Sequence, residues 1–151
     1  MFIAISLHVL AAAIWVGGMF FAYIALRPVA AELLQPPERL KLWCGVFKRF
    51  FPWVWMAVLI LLLSGFWAVF FYFGELSVIG IHIYLMMVLG ILMIIIFFHV
   101  YYGPYRQLQI AISNEDWPTG ATKLNRIRLL IKTNLILGLI VIITATAGHY
   151  L

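Results

Sequence analysis

Four histidines are the residues of this sequence best suited to chemistry, and each lies within or at the end of an apolar segment. They are His8, His82, His99 and His149. An ionisable side chain inside an apolar segment is costly, so each histidine raises the question of what it binds. Because imidazole is a ligand of both haem iron and copper, metal binding is the first chemistry to consider.

His8 lies on a stripe of small residues in the segment from Ser6 to Phe21. Several residues recur at spacings of three and four from it and therefore share its face in a helix. These residues are Ala11, Ala12, Trp15, Gly18, Met19 and Ala22. A face of this kind allows other helices to approach closely.

The composition predicts an integral membrane protein. Hydrophobic residues make up 66% of the 151 residues and charged residues 10%, with a mean hydropathy of +1.11. An average soluble domain is roughly 25% charged. A chain of this length holds about four spans of ~20 residues. We therefore predict an all-α fold, a single four-transmembrane-helix up-down bundle comprising residues 1–151.

Runs of apolar residues place the spans at about 2–26, 52–73, 78–102 and 127–151. The pairs Arg27-Pro28 and Gly103-Pro104 are expected to end the first and third spans. Between the first two spans, the mixture of charged and apolar residues from Val29 to Phe51 predicts a short amphipathic interfacial segment. The segment from Tyr105 to Asn125 is expected to form a second long loop.

The basic residues predict the orientation. All ten Lys and Arg residues fall in or next to the two loops that join spans one to two and three to four. By the positive-inside rule these loops are cytoplasmic, and both termini face the outer, periplasmic side of a bacterial inner membrane. The net charge of +5 is thus explained by topology and the lipid bilayer, and nucleic-acid binding is excluded. The single cysteine, Cys44, forms no internal disulfide.

This orientation sorts the histidines by depth. His8, His82 and His149 lie near the outer ends of the first, third and fourth spans, so three imidazoles are expected in one layer. His99 follows His82 by 17 residues, which places it ~25 Å away along the helix. A role for His99 in a second haem would require another ligand, for example from a homodimer.

Two cofactors compete for this layer. Two histidines on facing helices are able to hold haem b, provided that small residues leave a slot for the macrocycle. The expected walls of the slot are Ala11, Ala12, Gly18, Ala22, Gly138 and Ala145. Copper is the alternative, since the three histidines can bind it and four methionines offer soft thioethers. These methionines are Met19, Met86, Met87 and Met93.

Three stretches are similar to known families. LHVLAAAIWVGGMFF resembles the first-span signature of the copper-resistance protein D (CopD) family. IHIYLMMVLGILMIIIFFHVYYGPYRQ and NRIRLLIKTNLILGLIVIITATAGHYL resemble the related HemJ-type membrane proteins. The HemJ resemblance implies haem b, with His8 as an axial ligand, and a link to protoporphyrinogen oxidation. The CopD resemblance implies copper handling. Tyr84 stands where HemJ-type proteins carry an essential lysine, which argues against a protoporphyrinogen oxidase.

The sequence thus leads to three functional hypotheses. The first is a membrane protein of cytochrome b type, in which His8 and either His82 or His149 ligate haem b. It transfers electrons or oxidises quinol, superoxide or a similar small molecule near the outer face, as an oxidoreductase with Tyr84 and Trp15 as candidate catalytic contacts. The alternatives are a copper transport or handling protein of the CopD family and a HemJ-type protoporphyrinogen oxidase.

Overall fold

Four long helices make up the described part of the protein. The computed structural model describes residues 2–72 and 80–148. Its helices α1 (Phe2–Leu33), α2 (Pro36–Phe71), α3 (Ile81–Ser113) and α4 (Trp117–Ala147) are each long and apolar enough to cross a membrane. No strand occurs within the described ranges. The predicted class, an all-α membrane protein with four spanning helices, is confirmed, while the side that the termini face stays a prediction.

Two helices continue past the prolines that were expected to end them. α1 runs through Arg27-Pro28 and α3 through Gly103-Pro104, so both helices extend beyond the predicted span ends, while the bounds of the spans within the membrane stay predictions. A π-helical turn accompanies each proline, at Ala22–Leu26 and Tyr101–Tyr105. A wider turn lets the backbone accommodate a residue that lacks an N–H and would clash with the preceding turn. In membrane helices such local adjustments make proline tolerable.

The expected interfacial segment is instead divided between two long helices. Residues 29–33 complete α1, and residues 36–51 open α2, which continues through Pro52 without a break. Packing explains the difference, because Leu40, Trp43 and Phe47 are buried in the core. An amphipathic stretch that finds a protein surface for its apolar face extends the bundle.

The second predicted loop is also much shorter than expected. Only the turn from Asn114 to Asp116 separates α3 from α4. Glu115 adopts a left-handed backbone with φ 54°, which reverses the chain. Asp116 caps α4, because its Oδ1 accepts a hydrogen bond of 3.2 Å from the backbone N–H of Thr119. Bonding to Thr119 also holds the pKa of this exposed carboxyl below its usual value.

Aromatic side chains fill the core between α2 and α3. The ring of Phe51 stacks on Phe47 at 5.1 Å and meets the edges of Phe97 at 5.5 Å and Tyr105 at 4.8 Å. Trp55 adds a further edge contact with Phe97 at 5.3 Å. Offset and edge-to-face pairs of this kind favour one arrangement of the helices. The cluster therefore fixes α2 against α3.

Two glycines mark the places where helices approach most closely. At Gly138 of α4, an added Cβ would lie 2.7 Å from Cγ2 of Val16 in α1 and 3.2 Å from Cε of Met93 in α3. At Gly18 of α1, an added Cβ would collide with the ring of Phe50 in α2. Small residues at helix crossings are the usual means of close packing in membranes.

Candidate functional site

Contacts between neighbouring helices bring two of the predicted site histidines to one end of the bundle. His8 of α1 contacts Ser64 of α2, and His82 of α3 lies against Gly148 just after α4. Deeper in the bundle, the contact of Val16 with Gly138 sets the register of α1 against α4. Because neighbouring helices run in opposite directions, these pairings place His8 and His82 at the same end, which we call the histidine end.

His8 is held by a short chain of hydrogen bonds. Its Nδ1 lies 2.7 Å from Oγ of Ser64, and that hydroxyl donates to the backbone carbonyl of Ile60. Because the single hydrogen of the Ser64 hydroxyl is directed to Ile60, we assign the N–H of a neutral His8 ring to Nδ1, where the Ser64 oxygen accepts it. This assignment leaves the ring lone pair on Nε2. A hydrogen bond at one ring nitrogen that frees the other is the usual arrangement of a metal-binding histidine.

The ring of His8 is half-buried and lies over a second small residue. Its Cε1 would be 3.7 Å from a Cβ added at Gly65, the residue after Ser64. A glycine here gives the imidazole room between α1 and α2. The sequence pattern around His8 contained no indication of the Ser64 partner, because the two residues are 56 positions apart.

His82 lies on a similarly small surface. An added Cβ at Gly148 would be 2.8 Å from the Cβ of His82, and one at Gly80 would be 2.6 Å from its ring carbon Cε1. His82 is half-buried. His149 lies outside the described residues, so the predicted layer of three histidines stays a prediction.

His99 is separated from this group. It lies just past the middle of α3, 17 residues after His82, is exposed, and has its ring 3.8 Å from the position of a Cβ added at Gly103. This agrees with the sequence argument that His99 is too far along the helix to join His82. Its predicted role in a second cofactor site remains untested.

A buried amide lies deeper in the bundle, and the sequence analysis did not select it as a site residue. Asn134 of α4 is the one polar side chain in the described ranges that is buried, with 4% of its surface exposed. Its Nδ2 donates to the backbone carbonyl of Met93 at 3.3 Å, while its Oδ1 is buried without a partner. An unsatisfied acceptor in an apolar core is costly. A polar residue inside an apolar span was the signal that could have identified it.

Two of the four candidate methionines are buried near this level. Met19 of α1 and Met93 of α3 are each 4% exposed and belong to the same core cluster. The methyl group of Met93 faces Gly138, one turn beyond Asn134. Met86 and Met87 are half-buried on α3, closer to His82. Soft thioethers and a free amide oxygen thus lie in the bundle interior below the histidine end.

The expected slot for a haem does not fit the structure at its two glycine walls. The ring of Phe50 covers Gly18, and Val16 and Met93 cover Gly138, so both positions are filled by neighbouring helices. Ala145, a third expected wall, is exposed on the outside of α4. These small residues serve helix packing, and we derive no chemistry from a macrocycle here.

The two candidate catalytic aromatic residues have different surroundings. Trp15 is 3% exposed and meets Phe97 edge-to-face at 6.1 Å, as a core aromatic residue that joins α1 to α3. Tyr84 is 38% exposed, on the turn of α3 that follows His82. Their expected catalytic role remains a prediction.

No cluster of three or more His, Cys, Asp or Glu side chains suited to a metal ion occurs in residues 2–72 and 80–148. The donors described above are imidazole nitrogens, thioether sulfurs and an amide oxygen, and such a set suits a soft ion better than Mg²⁺ or Ca²⁺, which require several oxygen ligands.

Comparisons with known proteins give a family. The family model "Copper resistance protein D" matches residues 44–147, well over half of the chain. Among curated proteins and among solved structures, no significant match was found. The matched range includes Ser64, His82, Met93 and Asn134 but not His8, although the first span carried part of the resemblance seen in the sequence. The chain belongs to the copper resistance protein D family.

Proposed function

We propose that this protein handles copper, accepting the ion at the histidine end of the bundle and passing it toward the buried interior. The observation that carries the proposal is the hydrogen-bond chain from His8 through Ser64 to Ile60, which leaves Nε2 of His8 free for a metal. Membership of the copper resistance protein D family supports copper as the ion.

The inner groups favour monovalent copper. Thioether sulfur is a soft ligand that selects Cu(I), and imidazole also binds copper. Met19 lies 11 residues after His8, three turns along the same face of α1, or about 16 Å deeper. Met93 and the free Oδ1 of Asn134 lie at a comparable depth on α3 and α4. We propose that these groups are successive contacts of the ion.

The positive-inside rule gives the direction. With both termini on the outer side, the histidine end faces the periplasm of a bacterial inner membrane, and copper enters there. His82, together with His149 just after Gly148, is proposed to share the entry with His8. His99 lies 17 residues further along α3 than His82 and is not part of it.

Transport in a purified system tests the proposal. The full chain is reconstituted into lipid vesicles, a Cu(I) chelate is supplied outside, and copper uptake is followed with an indicator trapped inside. We expect uptake above that of protein-free vesicles, and the same rate with His99→Ala as with the wild-type chain. Uptake equal to that of protein-free vesicles, with the protein folded, would contradict copper passage.

A second prediction concerns Asn134. Asn134→Leu removes the buried, unpartnered Oδ1 and replaces the amide by an apolar side chain of similar size. The variant also loses the hydrogen bond from Nδ2 to Met93, so the gain and the loss nearly cancel and the free energy of unfolding should change by less than about 1 kcal/mol. We expect copper uptake to fall at least about tenfold in the same variant, because a proposed contact of the ion is lost.

The matched control for Asn134→Leu is Thr133→Val, on the neighbouring exposed position whose hydroxyl bonds only its own helix at Leu129. This change should leave both the unfolding free energy and copper uptake unaltered. If Asn134→Leu transports copper as fast as the Thr133→Val control, Asn134 is not a contact of the ion.

The haem hypothesis has less support. The slot positions Gly18 and Gly138 are filled, and the family match points to copper. Electron transfer, quinol oxidation and protoporphyrinogen oxidation are the alternative functions, and finding haem in the purified protein would favour them.

A further inference from the structure

Three arginines from three different helices lie close together at the end of the bundle opposite the histidine end. We call Arg27 of α1, Arg39 of α2 and Arg128 of α4 the arginine cluster. All three side chains are half-buried. Arg128 lies over the ring of Trp43, which follows Arg39 by about one turn of α2, and the charges of Arg27 and Arg39 both act on it. Like charges held together in a partly buried place require a compensating partner.

Several N–H groups of this region lack an acceptor. Nε and Nη2 of Arg128 and Nε of Arg39 are buried without a hydrogen-bond partner, and so is Nε1 of the adjacent Trp43. The guanidinium of Arg128 lies 5.9 Å above the ring of Trp43, which brings these donors into one neighbourhood. A buried donor without an acceptor is rare in folded proteins.

The contacts that the arginine cluster does make use only some of its hydrogen-bond donors. Nη2 of Arg39 donates to the carbonyls of Leu34 at 2.9 Å and Ala31 at 3.4 Å, at the end of α1. Arg27 lies 4.8 Å above the ring of Tyr23. In the described part of the chain these arginines form no ion pair with a carboxylate. Within the described residues, the positive charge of the cluster therefore has no carboxylate partner, and several of its N–H donors have no acceptor.

We propose that the arginine cluster binds the phosphate of an anionic phospholipid. A guanidinium presents N–H groups in a planar fork that matches two oxygens of a phosphate, and three guanidinium groups offset its charge. The unpartnered donors of Arg128 and Arg39 become available to such an oxyanion once it displaces the side chains that cover them. The half-buried position limits the water that competes for it.

A lipid is the favoured source of the phosphate because of where the cluster lies. It is at the basic end of the spanning helices, which the positive-inside rule assigns to the cytoplasmic leaflet with its anionic lipids. Topology alone requires basic residues at this end but not buried and unpartnered donors. The exposed Arg126 meets the topological requirement without such donors.

Native mass spectrometry of the full-length protein provides the test, with an equal mixture of phosphatidylglycerol and phosphatidylcholine as the probe. We expect the wild-type chain to retain phosphatidylglycerol selectively. Arg128→Gln should retain about tenfold less, the effect of losing a charge-assisted hydrogen-bonding group. Arg126→Gln, on the same helix and exposed, is the matched control and should behave as wild type.

Two further arms keep the test decisive. Arg128→Lys preserves the charge but not the fork, so it should fold and still lose most of the selectivity even where Arg128→Gln does not fold. Inorganic phosphate is added to the lipid-free protein in a thermal-shift measurement. Equal retention of phosphatidylglycerol by the wild type, Arg128→Lys and Arg126→Gln would overturn the proposal. Stabilisation by inorganic phosphate without retained phosphatidylglycerol would overturn the lipid assignment.

Discussion

His8→Ala is expected to weaken Cu(I) binding by at least about a hundredfold. Loss of a residue that only supports a metal ligand already weakens metal binding by up to about a hundredfold, and His8 is the proposed ligand itself. The variant removes the ring nitrogen Nε2 that the Ser64 hydrogen bond leaves free for a metal. The measurement is competition for Cu(I) between the purified protein and a chelator of known affinity. Binding should be lost without a large change in the unfolding temperature, because His8 is only half-buried.

Two variants separate the role of the metal ligand from that of packing. Ser64→Ala keeps the His8 ring but releases its tautomer and orientation, so Cu(I) affinity should fall about tenfold. His99→Ala removes an exposed histidine of α3 that lies 17 residues from His82, and it should have no effect. If His8→Ala binds Cu(I) as tightly as His99→Ala, the proposed entry ligand is wrong.

Gly138→Ala is expected to lower the free energy of unfolding by about 2 kcal/mol, the cost of overpacking a filled core position. The added methyl group would lie 2.7 Å from a γ-carbon of Val16, whose branched side chain has little freedom to move aside. Separation of α1 from α4 would result. Unfolding in a denaturing detergent, followed by circular dichroism, measures the loss.

Gly90→Ala is the matched control for this change. Gly90 also lies inside a spanning helix, but a Cβ added there meets nothing within 4 Å. The control should unfold as the wild type does or slightly later, since alanine favours a helix over glycine. If both glycine variants unfold alike, the close contact at Gly138 does not contribute to the stability of the bundle.

The fold class was readable from the sequence because hydrophobic length and the distribution of charge determine it. The helix ends were less readable, since proline is a strong signal only where the backbone has no means to adapt. At Pro28 and Pro104 a π turn provides that means, and the helices continue. Burial of Trp43 and Phe47 likewise turned an expected interfacial segment into the first part of α2.

The candidate site was only partly readable. Helical spacing and depth correctly brought His8 and His82 to one end of the bundle and kept His99 away. The stripe of small residues was ambiguous, because a slot for a cofactor and a close helix crossing require the same residue types. Gly18 and Gly138 prove to be crossings. Ser64 and Asn134 were missed as site residues because their partners lie far away in the chain.

The contrast between an open slot and a close helix crossing also favours copper over haem. A haem needs two ligands and a wide apolar slot, whereas a single copper ion needs only a few donor atoms with the right softness. In the proposed function, Nε2 of His8 offers such a donor at the histidine end, and the thioethers of Met19 and Met93 with the oxygen of Asn134 offer further donors about 16 Å deeper. The family match agrees with it.

The metal content of the protein tests the central claim most directly. The chain is produced in cells grown with added copper and with a haem precursor, purified in detergent, and assayed for copper by elemental analysis and for haem by its absorbance spectrum. We predict copper at about one ion per chain, without haem. A reduced haem b spectrum in a protein free of copper would contradict the account.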